Sequence, residues 1–178
     1  MSKRDIEKAV EGVVRPVVEE MGLSLVEVRF AKEGPVWLLR LIISRPEGIG
    51  LSDCEGVSQR VSPLLDEMDL IQVRYNLEVS SPGLERVFKS GEEYAIFAGR
   101  KILVSTYAPV ENHGREIRAT LIGLADAEDP SGTQPASKVV RVATAQGEEV
   151  AIPLSMIANT RLDEVDLPHK GKGGGRRK

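Results

Sequence analysis

The residues that could do covalent or metal chemistry are few in this chain and poorly spaced for it. His113 and His169 are the only histidines and Cys54 the only cysteine. A zinc site takes three or four ligands, and these three residues supply no recognisable set, so no metal is expected. Cys54 falls in an expected helix with no histidine near it in sequence. That setting suits a small, buried or half-buried residue better than an activated thiolate, and a lone cysteine excludes an internal disulfide. Ser80 and Ser81 sit on a sharp turn after a strand, as the nucleophile of a hydrolase does. Gly-x-Ser-x-Gly is absent, however, and the base would have to be His113 from the other half of the chain. There is no Gly-x-x-x-x-Gly-Lys-Ser/Thr loop. Gly48-Ile49-Gly50 lacks the third glycine of a dinucleotide fingerprint, and Asp53 and Glu55 would repel a pyrophosphate. Carboxylate pairs such as Asp66-Glu67 and Glu148-Glu149 are adjacent in sequence and point to different sides. The chain therefore reads as a protein without catalytic residues or cofactor.

Binding chemistry is better represented. A strand over Tyr75 to Ser81 runs into Pro82-Gly83. Pro82 has no N–H and disfavours helical geometry at Ser81, while Gly83 tolerates positive φ, so a type II turn is expected. Taken as local chemistry alone, this is a tight turn before a helix, with Ser81 as N-cap and Pro82 at N1. Its stiffness would hold out Leu84, Glu85 and Arg86. The planar fork of Arg86 makes it a candidate for a fixed polar contact with a partner.

Arg115, Arg118 and Arg141 lie on β runs whose alternation points them outward, where each could reach a phosphate or simply solvate a strand. Residues 1–168 carry 19 Lys+Arg and 27 Asp+Glu, net −8. Residues 169–178 hold Lys170, Lys172, Arg176, Arg177 and Lys178 and no acid, net +5, which gives −3 for the chain. An acidic body repels a phosphate backbone at long range and favours basic protein surfaces; the Gly-rich tail could tether to RNA. Only seven aromatics are present, and no strand is rich enough in them to form an RNA-stacking platform. Phe30, Trp37 and Phe97 are expected in the core.

The elements that must position these residues follow from hydrophobic periodicity. Ser2 and Asp5 form a capping pair before Ile6, Ala9, Val10, Val13, Val14, Val17, Val18 and Met21, a helical stripe that ends at Gly22 and contains a potential kink at Pro16. Leu25 to Ala31 and Val36 to Ser44 read as strands of a hairpin joined by Lys32-Glu33-Gly34-Pro35. A second helix is expected from Ser52, capped through Glu55, with Val57, Val61, Leu64, Leu65 and Met68 buried and Pro63 inside it. The strand Tyr75 to Ser81 follows, then a short helix capped by Ser90 and Glu93. The order helix-strand-strand-helix-strand gives a two-layer α+β domain over residues 1–98.

Beyond Ala98-Gly99 short β runs take over at Lys101–Tyr107, Arg115–Leu124, Lys138–Thr144, Glu149–Pro153 and Asn159–Leu162. They predict a small closed or nearly closed β-barrel over residues 99–168, followed by a flexible basic tail over 169–178. Asp126 to Ser137 is expected to be an insertion loop. There is no apolar leader and no stretch near the ~20 apolar residues of a membrane span, so a cytoplasmic location is expected.

The string Glu78-Val-Ser-Ser-Pro-Gly-Leu-Glu-Arg-Val-Phe88 closely resembles the signature segment of the ribosome maturation factor P (RimP) family, usually Val-Ser-Ser-Pro-Gly-Leu-Asp-Arg-Pro-Leu. Glu85 stands here for the usual Asp and Val87 for the usual Pro, so the charge is kept and a second rigid element is lost. Gly114-Arg115, Leu121-Ile122-Gly123 and Val150 to Leu162 resemble the SH3-like barrel of the same family. The resemblance implies a monomeric, non-catalytic ribosome maturation factor of the bacterial cytoplasm. Such a factor binds the immature small (30S) ribosomal subunit, contacts a basic small-subunit ribosomal protein chiefly through the barrel, and assists late rRNA folding and processing. Ser80, Ser81, Pro82, Gly83, Leu84, Glu85 and Arg86 are then the partner-binding candidates. The alternative reading is a stand-alone RNA-binding regulator built on the barrel.

Overall fold

The computed structural model describes residues 1–127 and 137–164. Nearly all of the expected insertion loop and the whole basic tail, including Lys170, Lys172, Arg176, Arg177 and Lys178, lie outside the described residues. The chain divides into two compact units, Met1–Gly83 and Leu84–Lys178. The division falls ahead of the expected 98/99 boundary, because residues 84–98 pair and pack with the strands that follow them.

The first unit is the expected two-layer arrangement. Helix α1 (Lys3–Glu20) opens with a reciprocal cap: the Asp5 N–H donates to the Ser2 hydroxyl at 3.3 Å, and the Asp5 carboxylate accepts the Ser2 N–H at 2.9 Å. Val10, Val14 and Val18 form its buried stripe, and the helix continues through the exposed Pro16. Strands β1 (Ser24–Glu33) and β2 (Val36–Ser44) pair antiparallel up to Glu33 opposite Val36, so the loop is the two residues Gly34-Pro35 rather than the four expected. Gly34 has φ +61°, and proline's fixed negative φ completes a type II′ turn, whose twist matches the strands.

Helix α2 (Leu51–Met68) starts one residue before the expected cap. Asp53, not Glu55, closes its first turn, accepting the Gly50 N–H at 2.8 Å while Arg45 donates to the same carboxylate oxygen at 3.0 Å. Val57, Val61 and Leu65 are buried as expected, whereas Met68 is 52% exposed. Strand β3 (Tyr75–Ser80) runs parallel to β2, giving the sheet order β1-β2-β3. Leu39, Leu41 and Ile43 of the central strand meet the two helical stripes in one core, against which Tyr75, Leu77 and Val79 pack. Burying each such side chain contributes about 1.5–3 kcal/mol, which is what holds two helices on one face of a three-stranded sheet. Phe30 is buried, and Trp37 stacks on it with ring centroids 4.7 Å apart.

The second unit is an antiparallel five-stranded sheet built from β4 (Lys101–Val110), β5 (Gly114–Asp126), β6 (Lys138–Ala143), β7 (Glu149–Pro153) and β8 (Ile157–Leu162), in the order β7-β6-β5-β4-β8. A 3-10 turn at Leu154–Met156 links β7 to β8. The five expected runs are present, but the closed barrel is not: among the described residues no ladder joins β7 to β8. The outer edge of β8 instead pairs with residues 84–88. The Leu162 N–H donates to the Arg86 carbonyl at 2.9 Å, the Phe88 N–H to the Thr160 carbonyl at 2.8 Å, and Val87 forms a bridge with Arg161. Helix α3 (Glu93–Ile96) follows that segment, and Phe97 just beyond it is fully buried.

Candidate partner-binding site

The signature segment is cut by the unit boundary. At the end of the first unit, Ser80 is half-buried at the last position of β3, opposite Ile42. Ser81 and Gly83 are exposed and Pro82 is half-buried. Gly83 has the positive φ expected after Pro82, +82°, although the turn itself falls on Leu84-Glu85 rather than on Pro82-Gly83. A Cβ built on Gly83 would meet nothing within 4 Å, so the requirement for glycine there is conformational rather than steric. Two residues before Ser80, Glu78 accepts both Nε and Nη2 of Arg40, at 3.0 and 2.9 Å, across the β2–β3 ladder. The hydrogen bond to Glu78 is the main reason that the Arg40 guanidinium is held above its ordinary pKa.

At the start of the second unit Leu84 is 44% and Val87 49% exposed, an unusual pair of uncovered apolar side chains flanking a charged dipeptide. Glu85 is exposed and accepts from Arg161 Nη1 at 2.8 Å. Arg86 does the opposite of what its position in the motif suggests. Its side chain is only 6% exposed and forks onto Glu93, Nε to Oε2 at 2.8 Å and Nη2 to Oε1 at 3.0 Å. Glu93, 1% exposed, also accepts the Lys89 N–H at 2.9 Å. Arg86 thus makes the fixed polar contact its fork is suited to, but within its own unit. Glu93, expected as a helix cap, is its counter-ion.

Two further polar links close the same corner. Arg100 forks onto Glu164, which raises the Arg100 pKa, and the Tyr94 hydroxyl lies 2.9 Å from Thr160 Oγ1. Burial pushes the Tyr94 phenol up, against a smaller downward pull from that hydrogen bond.

The outward arginines are placed as alternation predicts. Arg115, Arg118 and Arg141 are all exposed. Arg118 reaches Asp163 at 3.5 Å and Arg141 pairs with Glu149. The remaining candidates for chemistry are dispersed. Cys54 is half-buried in α2, where burial raises its thiol pKa. His113 Nε2 is 3.6 Å from Glu148 on the second unit, and Ser81 belongs to the first. Among the described residues no group of three His, Cys, Asp or Glu side chains is arranged to hold a metal ion, and no helix is long and apolar enough to cross a membrane.

The architecture defines a two-unit α+β protein whose signature turn joins a helix-covered three-stranded sheet to an antiparallel β unit. Residues 13–85 match the family model described as the RimP N-terminal domain. The first unit is therefore similar to the RimP N-terminal domain, and the match is consistent with the RimP family resemblance of the signature string. The matched stretch begins inside α1 and ends at Glu85, one residue short of the buried arginine.

Proposed function

We propose that the protein is a non-catalytic maturation factor that binds the immature small ribosomal subunit and assists its late assembly. The match of residues 13–85 to the RimP N-terminal domain carries this reading. Two other features support it. The charged side chains with the best-formed geometry, Arg40 with Glu78 and Arg86 with Glu93, neutralise one another, which suits a scaffold that presents a surface. The net charge of −8 over residues 1–168 steers the body toward a basic ribosomal protein, while the five cations of residues 169–178 suit contact with nearby rRNA.

In this reading the first unit offers Ser81, Pro82 and Gly83 at its end, and the second unit, taken by itself, offers Leu84, Glu85 and Val87 at its start. Ser80 and Arg86 hold the two ends in place. The partner is a basic small-subunit protein met chiefly by the β unit, and the factor acts as a monomer in the cytoplasm. Sedimentation of a lysate tests it. The factor should co-migrate with small-subunit particles, and its deletion should let precursor rRNA accumulate. Recovery only with free transcripts would replace this reading with that of a stand-alone RNA-binding regulator.

A further inference from the structure

Strand β7 ends the sheet of the second unit, with β6 on one side and no described segment on the other. Which of its backbone groups face that open side follows from the hairpin. The Thr144 N–H donates to the Glu148 carbonyl at 2.9 Å, which makes them a hydrogen-bonded pair. Along an antiparallel ladder bonded and non-bonded pairs alternate, so Val142 with Val150 and Val140 with Ile152 are bonded pairs. Glu149 and Ala151 therefore direct N–H and C=O away from β6. Pro153 occupies the next such position, where its missing N–H costs the ladder nothing.

The open edge borders a groove of about 410 Å³, walled on one side by Glu148–Ala151 and on the other by Pro109–His113 of the β4–β5 hairpin, with Met156 also lining it. The wall charges are acidic: Glu111, Glu148 and Glu149. Glu149 is paired with Arg141, whereas the nearest cationic partner recorded for Glu148 is His113, which carries charge only when protonated, and Glu111 has no ion pair among the described residues. Of the usual guards of an edge strand, β7 has its shortness and Pro153 at its far end, but no outward lysine and no bulge, so the N–H and C=O groups of Glu149 and Ala151 stay open to an acceptor strand.

We propose that the open edge of β7 takes an extended basic segment of a partner protein by strand addition. Main-chain hydrogen bonds to Glu149 and Ala151 would supply register, and Lys or Arg side chains of the segment would meet Glu111 and Glu148. Carboxylates on both walls argue against a nucleic-acid strand in the same groove. The identity of that partner as a ribosomal protein rests on the function proposed above; the strand-addition geometry does not.

The test uses the full chain, isotopically labelled, with a short alternating Arg-Val peptide as probe. The peptide should shift the amide signals of residues 149–152. Ala151→Pro removes an edge N–H without removing a β6 bond and should weaken peptide binding about tenfold. The double variant Glu111→Lys, Glu148→Lys, which changes only surface charge, should weaken it by at least as much and abolish its salt dependence. Peptide-induced shifts elsewhere, affinities unchanged in both variants, or the same amides responding instead to a short oligouridine would overturn the proposal. Small-subunit particles separate the two readings. If wild type and both variants co-migrate equally, the maturation role stands and the partner in the groove is not a ribosomal protein; if wild type does not co-migrate, the maturation role falls. In either case the peptide titration decides the groove itself.

Discussion

Glu93→Ala should destabilise the second unit by about 3–5 kcal/mol, the range for removing one partner of a buried ion pair. The structure places this pair well inside that class. The Arg86 and Glu93 side chains are 6% and 1% exposed, and two guanidinium nitrogens reach the carboxylate at 2.8 and 3.0 Å. Truncation leaves the guanidinium without the counter-charge that Glu93 supplies, at a position water scarcely reaches. It also removes the acceptor of the Lys89 N–H, a further loss of about 1 kcal/mol. An exposed pair would cost only about 0–1 kcal/mol, so the two cases are well separated. Replacing both partners, Arg86→Met with Glu93→Leu, should recover most of the loss, because no charge is then left buried.

The measurement is denaturant-dependent hydrogen exchange of segments within residues 99–164. Trp37, the only tryptophan, lies in the first unit and serves as an internal reference by fluorescence. Its transition should not move. A loss below about 1 kcal/mol would refute the reasoning, since it would mean that water reaches the pair in solution. So would a double variant as unstable as the single one, since the cost would then lie in packing.

Gly83→Val should lower the stability of the chain by about 1–3 kcal/mol through backbone strain alone, since no atom crowds the site, and should weaken binding to small-subunit particles; complete unfolding in circular dichroism would show a purely structural turn. Burial raises the folded-state pKa of Tyr94, so the stability it contributes is fully present below about pH 10 and is lost as pH rises through the folded value. Tyr94→Phe should remove that alkaline component and, with the Thr160 hydrogen bond, about 1 kcal/mol at neutral pH, read from melts across the alkaline range; an unchanged alkaline limb would refute it. Asp5 is held below the usual carboxylate range by its hydrogen bonds to Ser2, so the stability from this cap is present above about pH 4 and lost as pH falls through the depressed value; Asp5→Asn should flatten the acid limb of the Trp37 melting profile. Deleting residues 169–178 removes five cations and should flatten the slope of log K against log salt for single-stranded RNA by at most about 3.5; an unchanged slope would mean that the tail makes no phosphate contacts.

What could be read directly from the residues was set by local rules. The Ser2–Asp5 cap, the stripes Val10-Val14-Val18 and Val57-Val61-Leu65, and the glycine at positive φ after Pro82 all depend on neighbours within a few positions. The errors share the opposite property. The start of α2 moved because Arg45, eight residues upstream of Asp53, favours that carboxylate over Glu55 as the cap. The division into units at Gly83/Leu84 and the absence of a fully closed barrel go with one long-range pairing that no local rule could reveal: residues 84–88 lie along β8, more than 70 positions away in sequence. No period in the chain announces that pairing.

One signal was nevertheless available for it. Arg86 and Glu93 bracket a short segment with opposite charges, and a motif arginine seven residues from a glutamate that also begins a helix can turn inward as readily as outward. This changes what the signature means physically. Substituting Arg86 alone cannot report on partner recognition, because it breaks a buried pair first. Ser81, Leu84 and Val87, whose side chains are exposed and belong to no buried ion pair, are the positions at which a change in binding without a change in melting would identify recognition.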